Sequence, residues 1–404
     1  MTRQRLPGSA RPDTLDWVRA IASHGGSAID FELPNELALV QETARAFARD
    51  HLRPRDREFE SARGVAAHVH RLYRELGLAS LELPDTLGGA GLGALARTLV
   101  NEELAAADAG AALALDPLGP ALYPLVAFGG DTALRTHALP LLERAGSRAV
   151  LAFDLLPRLQ TLGGRASGIL PWVTADHVDL LVVLERERAY VVSEGLHPTP
   201  LRGAALRAAG AAELRVDGVA RPADWVSTPR ARWALSHARL YVASLLVGVM
   251  RAAAEFSRSY AMERVAFGRP IAHHQALAFL ISDMASAVDG ARLLVQEAAW
   301  RLDQAADLAD EPDIDSEAEV CATAFLEAAE ASLFVTPNGV QILGGHGFMQ
   351  DYPVEKWMRE ARALSLLLGG IDAAREDAGR ALLGDAEPLA LDPVSPGSEA
   401  GARQ

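Results

Sequence analysis

The sequence predicts a mostly α-helical protein interrupted by one small β-domain, and three observations predict it. The apolar content, 50% of 404 residues, comes largely from Ala and Leu, which favour helix. Apolar positions recur at three- and four-residue spacing toward both ends of the chain. Only over 147–226 do short β-type runs, punctuated by Gly and Pro, replace that pattern.

Residues 1–30 read as a loose extension and 31–146 as an N-terminal helical domain. Leu37, Val40, Ala44, Phe47 and Ala48 share one face, with Asn35 as the expected N-cap and Pro54 just beyond the end. A second helix reaches about Leu76 and stops at Gly77. The turn-rich Leu-Glu-Leu-Pro-Asp-Thr-Leu-Gly-Gly-Ala-Gly (81–91) separates it from a helix expected over 95–107. The β-domain, 147–228, carries four strand-like runs at 149–153, 180–184, 189–193 and 213–217. Helix resumes over 229–384, and 385–404, rich in Pro, Gly, Ser and Ala, reads as a disordered tail.

Charge excludes one class of function. Lys plus Arg number 39 against 53 Asp plus Glu, a net −14, which repels phosphate backbones and argues against nucleic-acid binding. Cys321 is the single cysteine, so neither an intrachain disulfide nor a Cys-based zinc site is expected. Its setting reads as a buried helical thiol. No uncharged apolar run reaches the ~18 residues of a membrane span. The N-terminus lacks the apolar core of a secretory signal, and Asp13 and Asp16 among its arginines count against a transit peptide. A soluble, cytoplasmic protein is the expectation.

Two long motifs carry the chemistry. The first is Tyr260-Ala-Met-Glu-Arg-Val-Ala-Phe-Gly-Arg-Pro-Ile271, followed by Gln275. The second is Val340-Gln-Ile-Leu-Gly-Gly-His-Gly-Phe348, then Asp351-Tyr-Pro-Val-Glu-Lys-Trp-Met-Arg-Glu-Ala-Arg362. Gly344, Gly345 and Gly347 permit close approach of a flat or anionic ligand. Arg264 offers a fixed cationic fork for pyrophosphate, with Phe267 beside it. Gln341 can both donate and accept. In the β-domain, Gly168-Ile-Leu-Pro-Trp-Val-Thr174 offers a broad indole face at Trp172 and a rotatable hydroxyl at Thr174.

With the weaker 81–91 turn, these segments resemble the acyl-CoA dehydrogenase family along most of residues 35–384. The resemblance implies an N-terminal helical domain, a middle β-domain and a C-terminal four-helix bundle. It implies FAD, with Arg264, Phe267 and Gln275 facing the cofactor of one subunit and Gln341, Gly344 and Gly345 reaching it from a neighbour. Trp172 and Thr174 then lie near the flavin ring, and Arg239, an arginine the family keeps, serves substrate binding. An acyl-CoA substrate, electron-transfer flavoprotein as acceptor, and a dimer or tetramer follow from the same resemblance.

The chain departs from the family where the reaction needs a base. A carboxylate must accept the α-proton in a dry pocket, where burial raises its pKa. The family's usual position is held by Leu368, before Gly369 and Gly370, and the alternative position on an earlier helix by Ala238. Neither accepts a proton. His237 is next to the alternative site but points about 100° away. Glu360 suits a structural salt bridge and Asp372 a helix N-cap. The family's Thr-Glu-Pro loop is also missing, with Phe153-Asp-Leu-Leu-Pro157 in its place, and the β-domain reads as shortened.

The leading expectation is therefore the base-lacking subunit of a heteromeric acyl-CoA dehydrogenase. The alternatives are a self-sufficient homo-oligomeric oxidoreductase with a relocated base, and a non-redox acyl-CoA-binding protein. Fatty-acid or sterol side-chain metabolism is the expected setting.

Overall fold

A computed structural model describes residues 33–155, 158–221, 223–308 and 314–383. The expected extension, 1–30, and tail, 385–404, lie outside the described residues.

The N-terminal unit is helical. Helix α1, Asn35–Phe47, begins on Asn35 itself, with Pro34 before it and no side-chain cap, so Asn35 is not the N-cap. The helical path also outruns the expected stop: it continues through Ala48–Leu52 and takes Pro54 into the short turn Arg53–Arg55. Proline is tolerated there because the first turn of a helix needs no intrahelical N–H bond. After α2, Asp56–Ala62, helix α3, Ala67–Glu75, closes on Leu76 and a left-handed Gly77 at φ 75°.

Helix α4, Ala94–Leu115, runs past the expected end near residue 107, but its backbone breaks at Asp108, at φ −160°. The Asp108 carboxylate accepts from the Ala111 amide at 2.9 Å, capping the second half as a new helix start. Short helical turns then fill Gly119–Ala121 to Leu139–Glu143.

Eight strands follow in two four-stranded sheets. They are β1 Ala149–Phe153, β2 Leu159–Leu162, β3 Arg165–Val173, β4 Leu180–Leu184, β5 Arg188–Val192, β6 Leu196–Pro200, β7 Ala212–Ala220 and β8 Ala223–Val226. One sheet has the order β1-β4-β5-β8 and the other β2-β3-β7-β6; among the described residues only β1 and β4 pair in parallel. Every residue of β4 is buried. Leu181 and Val183 pack into the core between the sheets, while Leu180 and Val182 pack against Leu122, Leu125 and Leu134 of the helical unit. A strand covered on both faces explains the unbroken Leu-Leu-Val-Val-Leu run.

The C-terminal unit holds α5 Thr228–Glu263, α6 Gln275–Leu308, α7 Ile314–Leu343, α8 Val354–Leu364 and α9 Gly370–Leu383. Helix α5 packs on α4, α6 and α7 and forms the spine of the molecule. It is long and apolar enough to cross a membrane, yet most of its apolar stretch is buried inside the protein. Arginines stitch the layers: Arg251 of α5 meets Glu102 at 2.9 Å and Glu103 at 2.8 Å, while Arg292 of α6 meets Glu102 at 3.1 Å. Cys321 is buried on α7, as expected.

Candidate functional site

Helices α5 and α7 lie side by side, and their C-terminal ends frame an open cavity of about 340 Å³. Tyr260, Arg264, Ile342, Gly344, Gly345 and His346 line it. Arg264 is exposed and has no ion pair among the described residues, so its guanidinium is available to an anion. Gly344 takes φ 56°, and a Cβ there or at Gly345 would meet nothing within 4 Å. Both glycines leave room for a ligand. Gly347 does not: a Cβ there would sit 2.2 Å from the Val340 carbonyl oxygen, so this glycine serves the return of the chain over α7.

Gln275 opens α6 and Gln341 lies in the last turn of α7, both exposed. Phe267 is 96% exposed, so it does not pack beside Arg264 as expected. It sits at φ 53° between the short strands β9 Val265–Ala266 and β10 Arg269–Pro270. The resemblance divides Arg264 and the glycine turn between subunits, but here one chain brings Arg264, Gly344 and Gly345 to one cavity.

A second cavity, of about 60 Å³, lies where the β-domain meets α5 and the Leu367–Gly369 turn. Arg148, Leu151, Phe153, Thr174, Val242 and Leu368 line it, and none of its lining residues is a carboxylate. Trp172 is partly exposed nearby on β3 and is not part of that lining. Leu368 is buried and left-handed at φ 55°, a conformation uncommon for a bulky non-glycine residue. Ala238 is fully buried on α5, one turn before Val242 and on the same face. Both expected base positions are therefore apolar and packed.

The neighbours of Ala238 point elsewhere, as the helical period requires. The His237 ring lies against Trp233, centroids 3.7 Å apart with the planes tilted by 32°, and its Nδ1 donates to the Trp233 carbonyl at 3.0 Å. Burial pulls its pKa down to about 4. Arg239 commits its guanidinium to Asp377 of α9 at 2.6 Å and does not line either cavity, so the structure does not bring it to the site. Glu360 forms the expected salt bridge, to Lys356 at 2.8 Å, but deep in the core beside Asp108. Asp372 is exposed in the first turn of α9, which begins at Gly370, and is not the N-cap.

Sequence reasoning missed the polar groups behind the small cavity. Arg148 donates to the carbonyls of Asp116 and Thr174 at 3.0 and 3.1 Å, and burial lowers its pKa. The Asp116 carboxylate accepts from the Gly119 amide at 2.8 Å and the Tyr241 hydroxyl at 3.1 Å, fixing a turn in the cavity wall. Buried Arg97 reaches Glu82 at 2.7 Å, and the Tyr123 hydroxyl donates to Glu82 at 3.1 Å. Burial raises the pKa of Glu82. The one local signal was the Asp-Pro-Leu-Gly-Pro turn at 116–120.

The chain matches the acyl-CoA dehydrogenase N-terminal domain over residues 34–144 and the acyl-CoA dehydrogenase C-terminal domain over residues 228–383. It is 28% identical to cyclohex-1-ene-1-carbonyl-CoA dehydrogenase of Geobacter metallireducens, over 87% of this chain and 99% of that one. Its fold matches butyryl-CoA dehydrogenase from Megasphaera elsdenii with a TM-score of 0.75 at 22% identity, covering 88% of this chain and 100% of that one. It also matches a variant of the Tcur3481-Tcur3483 steroid ACAD with a TM-score of 0.73 at 24% identity, covering 86% and 98%. The open cradle, with its unpaired Arg264 and uncrowded Gly344 and Gly345, fits the diphosphate end of a dinucleotide. The chain belongs to the acyl-CoA dehydrogenase family, and FAD is its cofactor.

Proposed function

We propose that this chain is the base-lacking subunit of a heteromeric acyl-CoA dehydrogenase and completes the FAD site of a related catalytic subunit. The reaction served is α,β-desaturation of an acyl-CoA thioester. When bound, the flavin supplies the hydride acceptor. This chain's own residues do the holding: Arg264 neutralises the diphosphate, Gly344 and Gly345 let the backbone approach it, and Gln275 and Gln341, exposed outside the cavity lining, offer amides.

One observation carries the reading. The cavity beside Thr174 measures about 60 Å³, and Leu368, which the resemblance puts where the base is expected, lines it. Ligand pockets usually enclose roughly 300–1,000 Å³, so this chain has space for neither a flavin ring nor an acyl chain there. The cradle at Arg264, about 340 Å³, stays open. A chain that keeps the anionic half of a flavin site and fills the reactive half suits a partner subunit. The two component names of the Tcur3481-Tcur3483 steroid ACAD agree with a paired assembly. Electron-transfer flavoprotein as acceptor, a cytoplasmic location and fatty-acid or sterol side-chain substrates belong to the same proposal.

An absorbance spectrum tests it. The purified chain should carry no flavin alone and should yield a yellow complex, bleached by acyl-CoA, only when co-expressed with a base-bearing relative. A yellow homo-oligomer that acyl-CoA bleaches would overturn the reading.

A further inference from the structure

The Arg264 cradle contains a histidine that neither the motifs nor the base argument used. His346 stands between the two open glycines and Gly347, and it lines the cavity together with Arg264. Two tyrosines hold its ring. The Tyr260 hydroxyl lies 2.7 Å from His346 Nδ1, and Tyr352 stacks on the imidazole at 5.0 Å with the planes 13° apart. Tyr260 and Tyr352 in turn meet edge to face at 6.0 Å. A ring held in plane by one neighbour and at one nitrogen by another has little freedom to rotate.

We infer that His346 donates its Nε2–H to the FAD diphosphate beside Arg264, with Tyr260 setting the tautomer. The inference rests on FAD being the cofactor and adds a contact from this chain's own residue. A neutral imidazole carries one N–H, and its place is decided by what the other nitrogen does. If Tyr260 donates to Nδ1, the proton resides on Nε2, the nitrogen with no partner among the described residues. The opposite tautomer would leave a lone pair on Nε2, which an anion held by Arg264 disfavours. A diphosphate therefore selects the Nε2–H form, and the tyrosine hydroxyl, able to donate or accept, supports that form by donating. The gain over a glycine or alanine at this place is a directed, charge-assisted hydrogen bond.

Competition binding on the flavin-containing complex that includes this chain tests the contact, using ADP and adenosine to displace FAD with flavin fluorescence as the readout. Because hydrogen bonds to charged groups exceed neutral ones in strength, His346→Ala should weaken ADP and FAD by roughly tenfold or more. Adenosine, which lacks phosphate, should bind as before. His346→Gln, which restores a neutral N–H donor, should recover most of the loss. Tyr260→Phe should weaken ADP by a smaller factor while sparing adenosine, because it frees the tautomer without removing the ring. Equal losses for ADP and adenosine, or no loss in His346→Ala while Arg264→Ala does lose ADP, would overturn the assignment. A wild-type complex that holds no flavin at all would instead remove the cofactor assignment on which it rests.

Discussion

Leu368 and Thr174 line the same small cavity, one from the turn before α9 and the other from the end of β3. That pairing puts the hydroxyl expected to face the flavin beside the position where the family resemblance expects a proton acceptor and this chain has a leucine. Leu368→Glu should not by itself confer acyl-CoA-dependent bleaching on a flavin complex, because the cavity holds no acyl chain. It should cost about 2 kcal/mol or more of stability, since a carboxyl group would leave water for a packed position held by an apolar side chain. Denaturant unfolding checks the cost. Bleaching of the flavin by acyl-CoA in the Leu368→Glu complex would show that the side chain alone withholds the chemistry.

Arg97 holds together a polar cluster that is almost wholly buried. Its guanidinium meets Glu82, the Tyr73 hydroxyl and the Leu78 carbonyl, with Asp116 at 3.6 Å. Removing it leaves Glu82 and Asp116 without their cation, and breaking a buried pair from one side costs roughly 3–5 kcal/mol. Arg97→Met should therefore destabilise far more than Arg71→Met, whose surface pair with Glu75 at 3.8 Å is worth about 0–1 kcal/mol. Similar urea midpoints for the two variants would refute this account of the cluster.

Much of the fold was legible because its signals are local. Alternation between two covered faces makes 180–184 a continuous apolar run, and β4 occupies that span. Gly77 ends a helix because a left-handed residue is needed there. The candidate site was legible in part for the same reason: Arg264, Gly344 and Gly345 come from short motifs at the ends of neighbouring helices. What escaped were relationships across the chain. Nothing near Arg239 announces Asp377, 138 residues away, as its partner. Asp108 looks like a helix end in sequence, yet with its cap and Lys356 at 3.2 Å it is a break inside a longer helical run. Nothing beside His346 in the sequence announces Tyr260, 86 residues earlier, as the group that holds its ring.

His237 predicts a pH dependence. Its folded-state pKa is pulled down to about 4 from the usual 6.5 by burial. A depressed histidine binds its proton more readily in the unfolded chain, so stability is full above about pH 6.5 and falls as pH drops toward 4. The loss from this group should reach about 2 kcal/mol by pH 5. His70, also lowered to about 4 by burial, adds a loss of the same sign. His237→Gln should flatten the slope of unfolding free energy between pH 6.5 and 5, and adding His70→Gln should flatten it further. An unchanged slope in the double variant would mean that other groups govern acid lability.

Two helical glycines should respond to alanine with opposite signs. Gly248 lies on α5 where it crosses α4, and a Cβ there would stand 2.3 Å from the Glu102 carbonyl oxygen and 3.0 Å from the Ala105 side chain. Backbone cannot yield as a flexible side chain can, so Gly248→Ala should force the helices apart at a cost of about 1–3 kcal/mol. Gly290 lies on α6 with nothing within 4 Å of the added Cβ. Gly290→Ala removes unfolded-state freedom without a clash and should stabilise by about 0.4–1 kcal/mol. Thermal unfolding of the two variants beside the parent protein separates the cases. The same sign for both would show that helix propensity, and not the close approach of α4 and α5, decides the outcome at Gly248.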